Sequence, residues 1–129
     1  MPYTILILSH HKPGTSLEHF KSHYENKHIP LIRQLSGDTF PQSHIRHYLR
    51  RDEHGQVISL VPGKAGDGRM MDCDALAILT FADEEKFGEF MNKVTQTEAA
   101  RKIKEDEGLF LDGERMKVFV IGESCGTFN

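Results

Sequence analysis

The apolar positions of this chain change period several times, and each change marks an element. Thr4 to Ser9 is a run of β-branched and aliphatic residues, followed by a Pro13-Gly14 turn, and reads as a strand. Leu17, Phe20, Tyr24, Leu31 and Leu35 then keep to helical steps, predicting an amphipathic helix from about Leu17 to Leu35 that ends before Gly37. Ser16 is placed to cap it, with Thr15 and Glu18 as an alternative capping box. His28 lies one step beyond Tyr24 on the same inward stripe. Pro30 removes one helical hydrogen bond and predicts a kink or break close to His28.

Beyond this helix, His44 to Arg51 alternates as a second strand, Asp52 to Gly55 is a turn, and Val57 to Val61 returns as a short strand. Pro62 to Met71, with Gly63, Gly66 and Gly68, reads as a mobile surface connection of the kind that sometimes covers a site. Ala75 to Phe81 is a third strand. Asp83 caps a helix that carries Phe87, Phe90, Met91 and Val94 inward, Thr97 caps another to about Glu107, and Met116 to Ile121 is the last strand. The order β-α-β-β-α-β predicts an α+β fold, a ferredoxin-like antiparallel sheet with its helices on one face. The first and last strands are apolar on both sides, and helices cover only one side of such a sheet. A second copy of the chain is the simplest cover for the other, so a homodimer through sheet faces is expected.

Composition narrows the classes. At 129 residues the chain has the length of one domain, and 38% hydrophobic with 27% charged residues excludes a disordered tail. The longest apolar run, Ile5 to Leu8, is too short to span a bilayer, and no signal-peptide pattern opens the sequence, so a soluble cytoplasmic protein is expected. A formal charge of −3 gives no electrostatic reason to expect nucleic acid. The one basic patch, His44, Arg46, His47, Arg50 and Arg51, reads as a solvated strand end. Cys73 and Cys125 have neither metal nor redox spacing.

Eight histidines are an unusual supply of groups that titrate near neutrality. His11, His19 and His54 fall at loops or polar helix positions. His23 is one turn after His19, but no third ligand stands in register, so no metal site is expected. His28 is set apart by its inward register beside Tyr24, whose phenol offers an acid or a hydrogen-bond donor. His10 at the end of strand one, and His44 or His47 on strand two, are within reach of the same space. His44, Arg46 and Tyr48 share one face of that strand, and Ile45, His47 and Leu49 the other; alternation leaves open which meets the helices. Asp72 and Asp74 flank Cys73 ahead of strand three, placed to orient an imidazole or act as a base. Asp106 and Glu107 close a helix where acids oppose the helix dipole, a hint of another partner. A nucleophilic Cys73-His pair ranks lower, since nothing local activates its thiolate.

The segment Ser16-Leu-Glu-His-Phe-Lys-Ser-His-Tyr-Glu-Asn-Lys-His28-Ile-Pro30-Leu31 resembles the signature of EthD-domain proteins, members of the dimeric α+β barrel superfamily. Phe40-Pro-Gln-Ser-His-Ile-Arg-His-Tyr48, Asp72-Cys-Asp and Asp106-Glu-Gly-Leu-Phe-Leu-Asp112 resemble the version found in fungal polyketide gene clusters. The likeness runs in order through nearly the whole chain, implying one EthD-like domain over residues 1–129. It implies a cavity between sheet and helices in each subunit of a sheet-paired dimer, and relatives that are cofactor-free isomerases, cyclases, decarboxylases or dehydratases. In the isomerase relatives the histidine corresponding to His28 lines the active site.

The expectation is therefore a cofactor-free lyase or cyclase acting on an aromatic polyketide, with His28 as principal acid or base. Tyr24, His44 and Asp72 join it as catalytic candidates, and Arg46, Tyr48, His10, Phe20 and Leu31 as substrate contacts. The rivals are a cofactor-independent monooxygenase of an anthrone-like substrate, against which the absence of Trp argues, and a non-catalytic binder of hydrophobic ligands. A haem-binding role is a further alternative.

Overall fold

A computed structural model describes residues 1–60 and 73–129. Four strands, β1 (Tyr3–Ser9), β2 (Ser43–Tyr48), β3 (Ala75–Phe81) and β4 (Lys117–Ile121), form one antiparallel sheet in the order β2-β3-β1-β4. Helices α1 (Leu17–His23) and α2 (Ile29–Ser36) lie between β1 and β2, while α3 (Glu84–Val94) and α4 (Thr97–Glu107) lie between β3 and β4. This is the expected α+β, ferredoxin-like arrangement. Among the described residues no helix is long and apolar enough to cross a membrane.

The caps follow side-chain chemistry. Ser16 Oγ accepts from the His19 N–H at 2.9 Å, so the simple cap forms rather than the Thr15/Glu18 box. Asp83 accepts from the Lys86 N–H at 2.8 Å. The cap of α4 is Gln96 rather than Thr97, with no side-chain bond. Gly37 ends α2 at φ 58°, where a Cβ would be strained. The Asp52–Gly55 turn forms, but its return is a single bridge, Arg51 to Val57, rather than a strand. The predicted Pro62–Met71 connection lies outside the described residues, as does Asp72.

Between α1 and α2 the chain makes one wide π turn, Tyr24–His28, in which the Ile29 N–H reaches five residues back to the Tyr24 carbonyl. Pro30 has no N–H to offer the Asn26 carbonyl, and the wide turn takes up the misfit. It inserts one residue into the helical count. Phe20, Tyr24 and His28 are still buried, but the stripe downstream moves on by one, to Ile29, Ile32 and Ser36. Leu31 and Leu35, expected inward, are displaced from it and only half-buried. On α3, Phe87, Phe90 and Val94 pack inward as expected, whereas Met91 is exposed.

Strand β3 alternates cleanly, with Ala75, Ala77, Leu79 and Phe81 buried under the helices. Two core clusters result. One gathers Phe20, Tyr24, Ile29, Phe110 and Leu111 around Ala75, the other Ile5, Leu79, Phe81 and Phe90 around Ala77. On the opposite face the register aligns Ile45, Ile78, Leu6 and Phe119 in one apolar row across all four strands. Ile45 and Phe119 are half-exposed there.

Candidate functional site

The helical face of the sheet holds a cavity of about 190 Å³ between the two core clusters. Ile7, Ile32, Leu79, Phe90, Val94, Leu111 and Met116 make most of its wall, and among the described residues its titratable lining is Tyr24, His28, His44 and Glu107. The π turn brings two of these together: Tyr24 meets His28 edge-on with ring centroids 5.8 Å apart.

Asp106, at the end of α4, orients the histidine. Its Oδ2 lies 2.8 Å from His28 Nδ1 and its Oδ1 2.9 Å from His23 Nε2. An ionised carboxylate only accepts, so His28 donates from Nδ1 and its neutral ring keeps the lone pair on Nε2. Phe110 backs the assembly, stacked on His23 at 4.6 Å and packed against His28 at 5.0 Å. Burial lowers the His28 pKa below the ordinary histidine value, and the Asp106 hydrogen bond and charge restore only part of it. At neutral pH the imidazole is a free base held in one orientation.

His44 faces the same cavity from β2. Both ring nitrogens are buried without a hydrogen-bond partner among the described residues, and Tyr24 lies edge-on to the ring at 6.2 Å. The strand face left open by alternation is thereby resolved: His44, Arg46 and Tyr48 turn toward the helices, Ile45 and His47 away. Arg46 and Tyr48, expected to hold substrate, are engaged by Glu25 of the π turn. Arg46 grips both carboxylate oxygens at 2.6 and 2.8 Å, and the Tyr48 hydroxyl donates to it at 2.5 Å. The Arg46 hydrogen bonds hold Glu25 below the usual carboxylate range. This network pins the π turn to β2. The Tyr24 phenol is pushed up to about 12 by burial, so at neutral pH it is a hydrogen-bond donor.

The remaining candidates sit elsewhere. Phe20 is wholly buried beneath Tyr24 and Phe110, a core residue rather than cavity wall. His10 is buried at the end of β1, and neither it nor Leu31 lines the cavity; Ile32 does so in place of Leu31. Asp74 ties loops together: it accepts from the His11 N–H at 2.6 Å and pairs with Arg51. Burial would raise its pKa, but the His11 hydrogen bonds and the Arg51 charge outweigh that and hold it low. His19 and His23 spend their Nε2 atoms on the Leu109 carbonyl and Asp106. Cys73 is buried and Cys125 exposed.

His44 gives a stability prediction with a definite sign. Burial, then the Arg46 and His28 charges, push its imidazole down to about 4, whereas the unfolded chain titrates it near ~6.5. Between those values the unfolded state binds more protons. Stability from this site is therefore whole above about pH 6.5 and lost as pH falls toward ~4, on the order of 3 kcal/mol. His28, also lowered, acts in the same direction. The urea midpoint is expected to drop across this window in the wild type and less steeply in His44→Leu. Parallel curves for the two proteins would refute the assignment.

The chain matches the EthD domain over residues 12–114. It belongs to the EthD family. No curated protein matches it. Among solved structures, this EthD chain is similar to an ethyl tert-butyl ether D (EthD) family protein of Bacillus halodurans C-125, at a TM-score of 0.57 and 16% identity, covering 95% of this chain and 99% of that one. An EthD-like protein of Ralstonia eutropha JMP134 gives 0.56 and 12%, covering 93% and 87%. A protein of Arabidopsis thaliana gives 0.55 and 14%, covering 98% and 99%. At such identities the likeness is one of fold.

Proposed function

We propose that this EthD domain is a cofactor-free lyase or cyclase of the fungal polyketide-cluster type, removing carbon dioxide or water from an aromatic polyketide by histidine acid–base chemistry. The observation that carries this reading is His28: an imidazole oriented through Nδ1 by Asp106 in the wall of an apolar cavity. Dehydration needs a base at a C–H beside a carbonyl and an acid at the departing hydroxyl. Decarboxylation of a β-keto acid needs a proton donor at the ketone as the enolate forms. The free imidazole accepts the C–H proton of dehydration, and its protonated form, populated at lower pH, donates to the ketone in decarboxylation. The apolar walls suit flat rings, and His44 and Tyr24 offer hydrogen bonds to ring oxygens. At about 190 Å³ the cavity is below the roughly 300–1,000 Å³ of common ligand sites. A two- or three-ring molecule would enter in part and project past β4, where Val118 is half-exposed.

The test is incubation of the protein with aromatic β-keto acids and β-hydroxy ketones, following product mass and dissolved oxygen together. Loss of carbon dioxide or water without oxygen uptake is expected. Oxygen consumed in step with product would replace this reading with the monooxygenase. Ligand binding with no product from any candidate would favour a carrier.

We also infer that a second copy of the chain covers the row Ile45, Ile78, Leu6 and Phe119, since that row is continuous, apolar and faces away from every helix. Sedimentation is expected to give a dimer for the wild type and a monomer for Phe119→Asp. A wild-type monomer at high concentration would refute it.

A further inference from the structure

The Asp106–His28 pair leaves one ionisable group of the cavity unexplained. Three acids end α4. Glu105 is bonded to Arg101 and Asp106 to His23 and His28. Glu107 alone of the three lines the cavity, and no described residue hydrogen-bonds its carboxyl. Tyr24 and His28 of the π turn and His44 of β2 line the same cavity, Tyr24 close enough to feel the Glu107 charge, while Asp106 stands beside it on α4; among the described residues no Lys or Arg lines the cavity. Burial, then the charge of Asp106, raises its pKa above the usual carboxylate range. A helix C-terminus also disfavours negative charge. A neutral carboxylic acid can donate a proton, which a carboxylate cannot.

We propose that Glu107 is a second catalytic group of this cavity, the acid that protonates the carbonyl oxygen of an enolisable ketone while His28 removes the adjacent carbon-bound proton. This rests on the acid–base reading above and narrows the substrate to ketones with an α C–H. For a β-hydroxy ketone, the C–H bond breaks, its proton passes to His28 Nε2, and its electron pair forms the carbon–carbon double bond of an enol. The former carbonyl oxygen takes the Glu107 proton. The enol then collapses: its O–H proton returns to Glu107 and the bond from the β-carbon to its hydroxyl breaks. The hydroxyl leaves as water with the proton held by His28. Both side chains end as they began, and the product is the substrate less one water.

The probe is 2-tetralone, a bicyclic ketone with an acidic α C–H and no leaving group. Exchange of its α-protons in heavy water, followed by NMR against pH, isolates the first step. Wild-type protein is expected to catalyse exchange with a rate that falls on an alkaline limb as Glu107 ionises. Glu107→Gln is expected to exchange about 10²-fold more slowly and to lose that limb, with Glu107→Asp recovering part of the rate. In wild-type protein labelled with carbon-13, titration of the Glu107 carboxyl is expected to coincide with the limb. Wild-type kinetics in Glu107→Gln, or carboxyl titration in the ordinary carboxylate range, would overturn this role and leave the His28 reading standing. Failure of the wild type to exceed the buffer rate would overturn both.

Discussion

Replacement of His28 by asparagine is expected to lower kcat and kcat/KM for the dehydrated or decarboxylated substrate by about 10²–10⁴-fold, the usual worth of a positioned acid or base. Asparagine puts a nitrogen near the place of Nδ1, so the bond to Asp106 can persist while the proton-accepting Nε2 is gone. A loss in kcat with little change in KM would mark an interaction made in the transition state rather than in binding. The same logic sets the pH profile. Because burial lowers the His28 pKa, the free base is present at neutrality, and for dehydration, where His28 is the base, the acidic limb of kcat/KM should lie below the ordinary histidine value. His54, exposed in the Asp52–Gly55 turn, is the control. A loss in His28→Asn no greater than in His54→Ala would remove His28 from the chemistry.

The second large effect concerns the wall behind that histidine. Phe110 is fully buried and its ring meets Phe20, Tyr24, His23 and His28, so it belongs to the core and supports the site at once. Phe110→Ala is expected to cost about 3–5 kcal/mol, a large part of the roughly 5–15 kcal/mol that holds a typical domain together. In urea the midpoint should fall while the slope stays constant, the sign that stability rather than compactness has changed. Phe128, almost wholly exposed near the C-terminus, gives the comparison, with an expected change within about 0.5 kcal/mol. Equal shifts in the two variants would show that Phe110 does not anchor the core.

Much of this arrangement could be read from residue order. The strand and helix sequence, the Ser16 and Asp83 caps and the inward placement of Tyr24 and His28 all follow from local periodicity and local hydrogen bonding, which a single sequence displays. The rest depends on contacts between distant segments. Pro30 signalled an interruption but not its form, so Leu31 was expected where Ile32 stands. Alternation gave β2 two faces, and only its pairing with β3 selects His44 over His47 for the cavity. Arg46 and Tyr48 looked available for substrate because nothing local reveals Glu25 across the fold. Asp106 left a trace, an acid at the wrong end of a helix, but its two histidine partners lie 83 and 78 residues away in sequence.

The π turn has a consequence for how the helix sequence is encoded. Each residue of a regular helix turns by about 100°, so one extra residue puts everything downstream out of phase with what precedes it. Leu31 and Leu35 continue the phase of Phe20 and Tyr24, while Ile29 and Ile32 belong to the shifted one. The segment therefore spells two reading frames at once, and the fold uses the first up to Tyr24 and the second from Ile29. His28 stands at the splice. The aim of the imidazole therefore depends on phase as well as on residue type, since a single added or lost amino acid would re-aim it without altering any side chain around it.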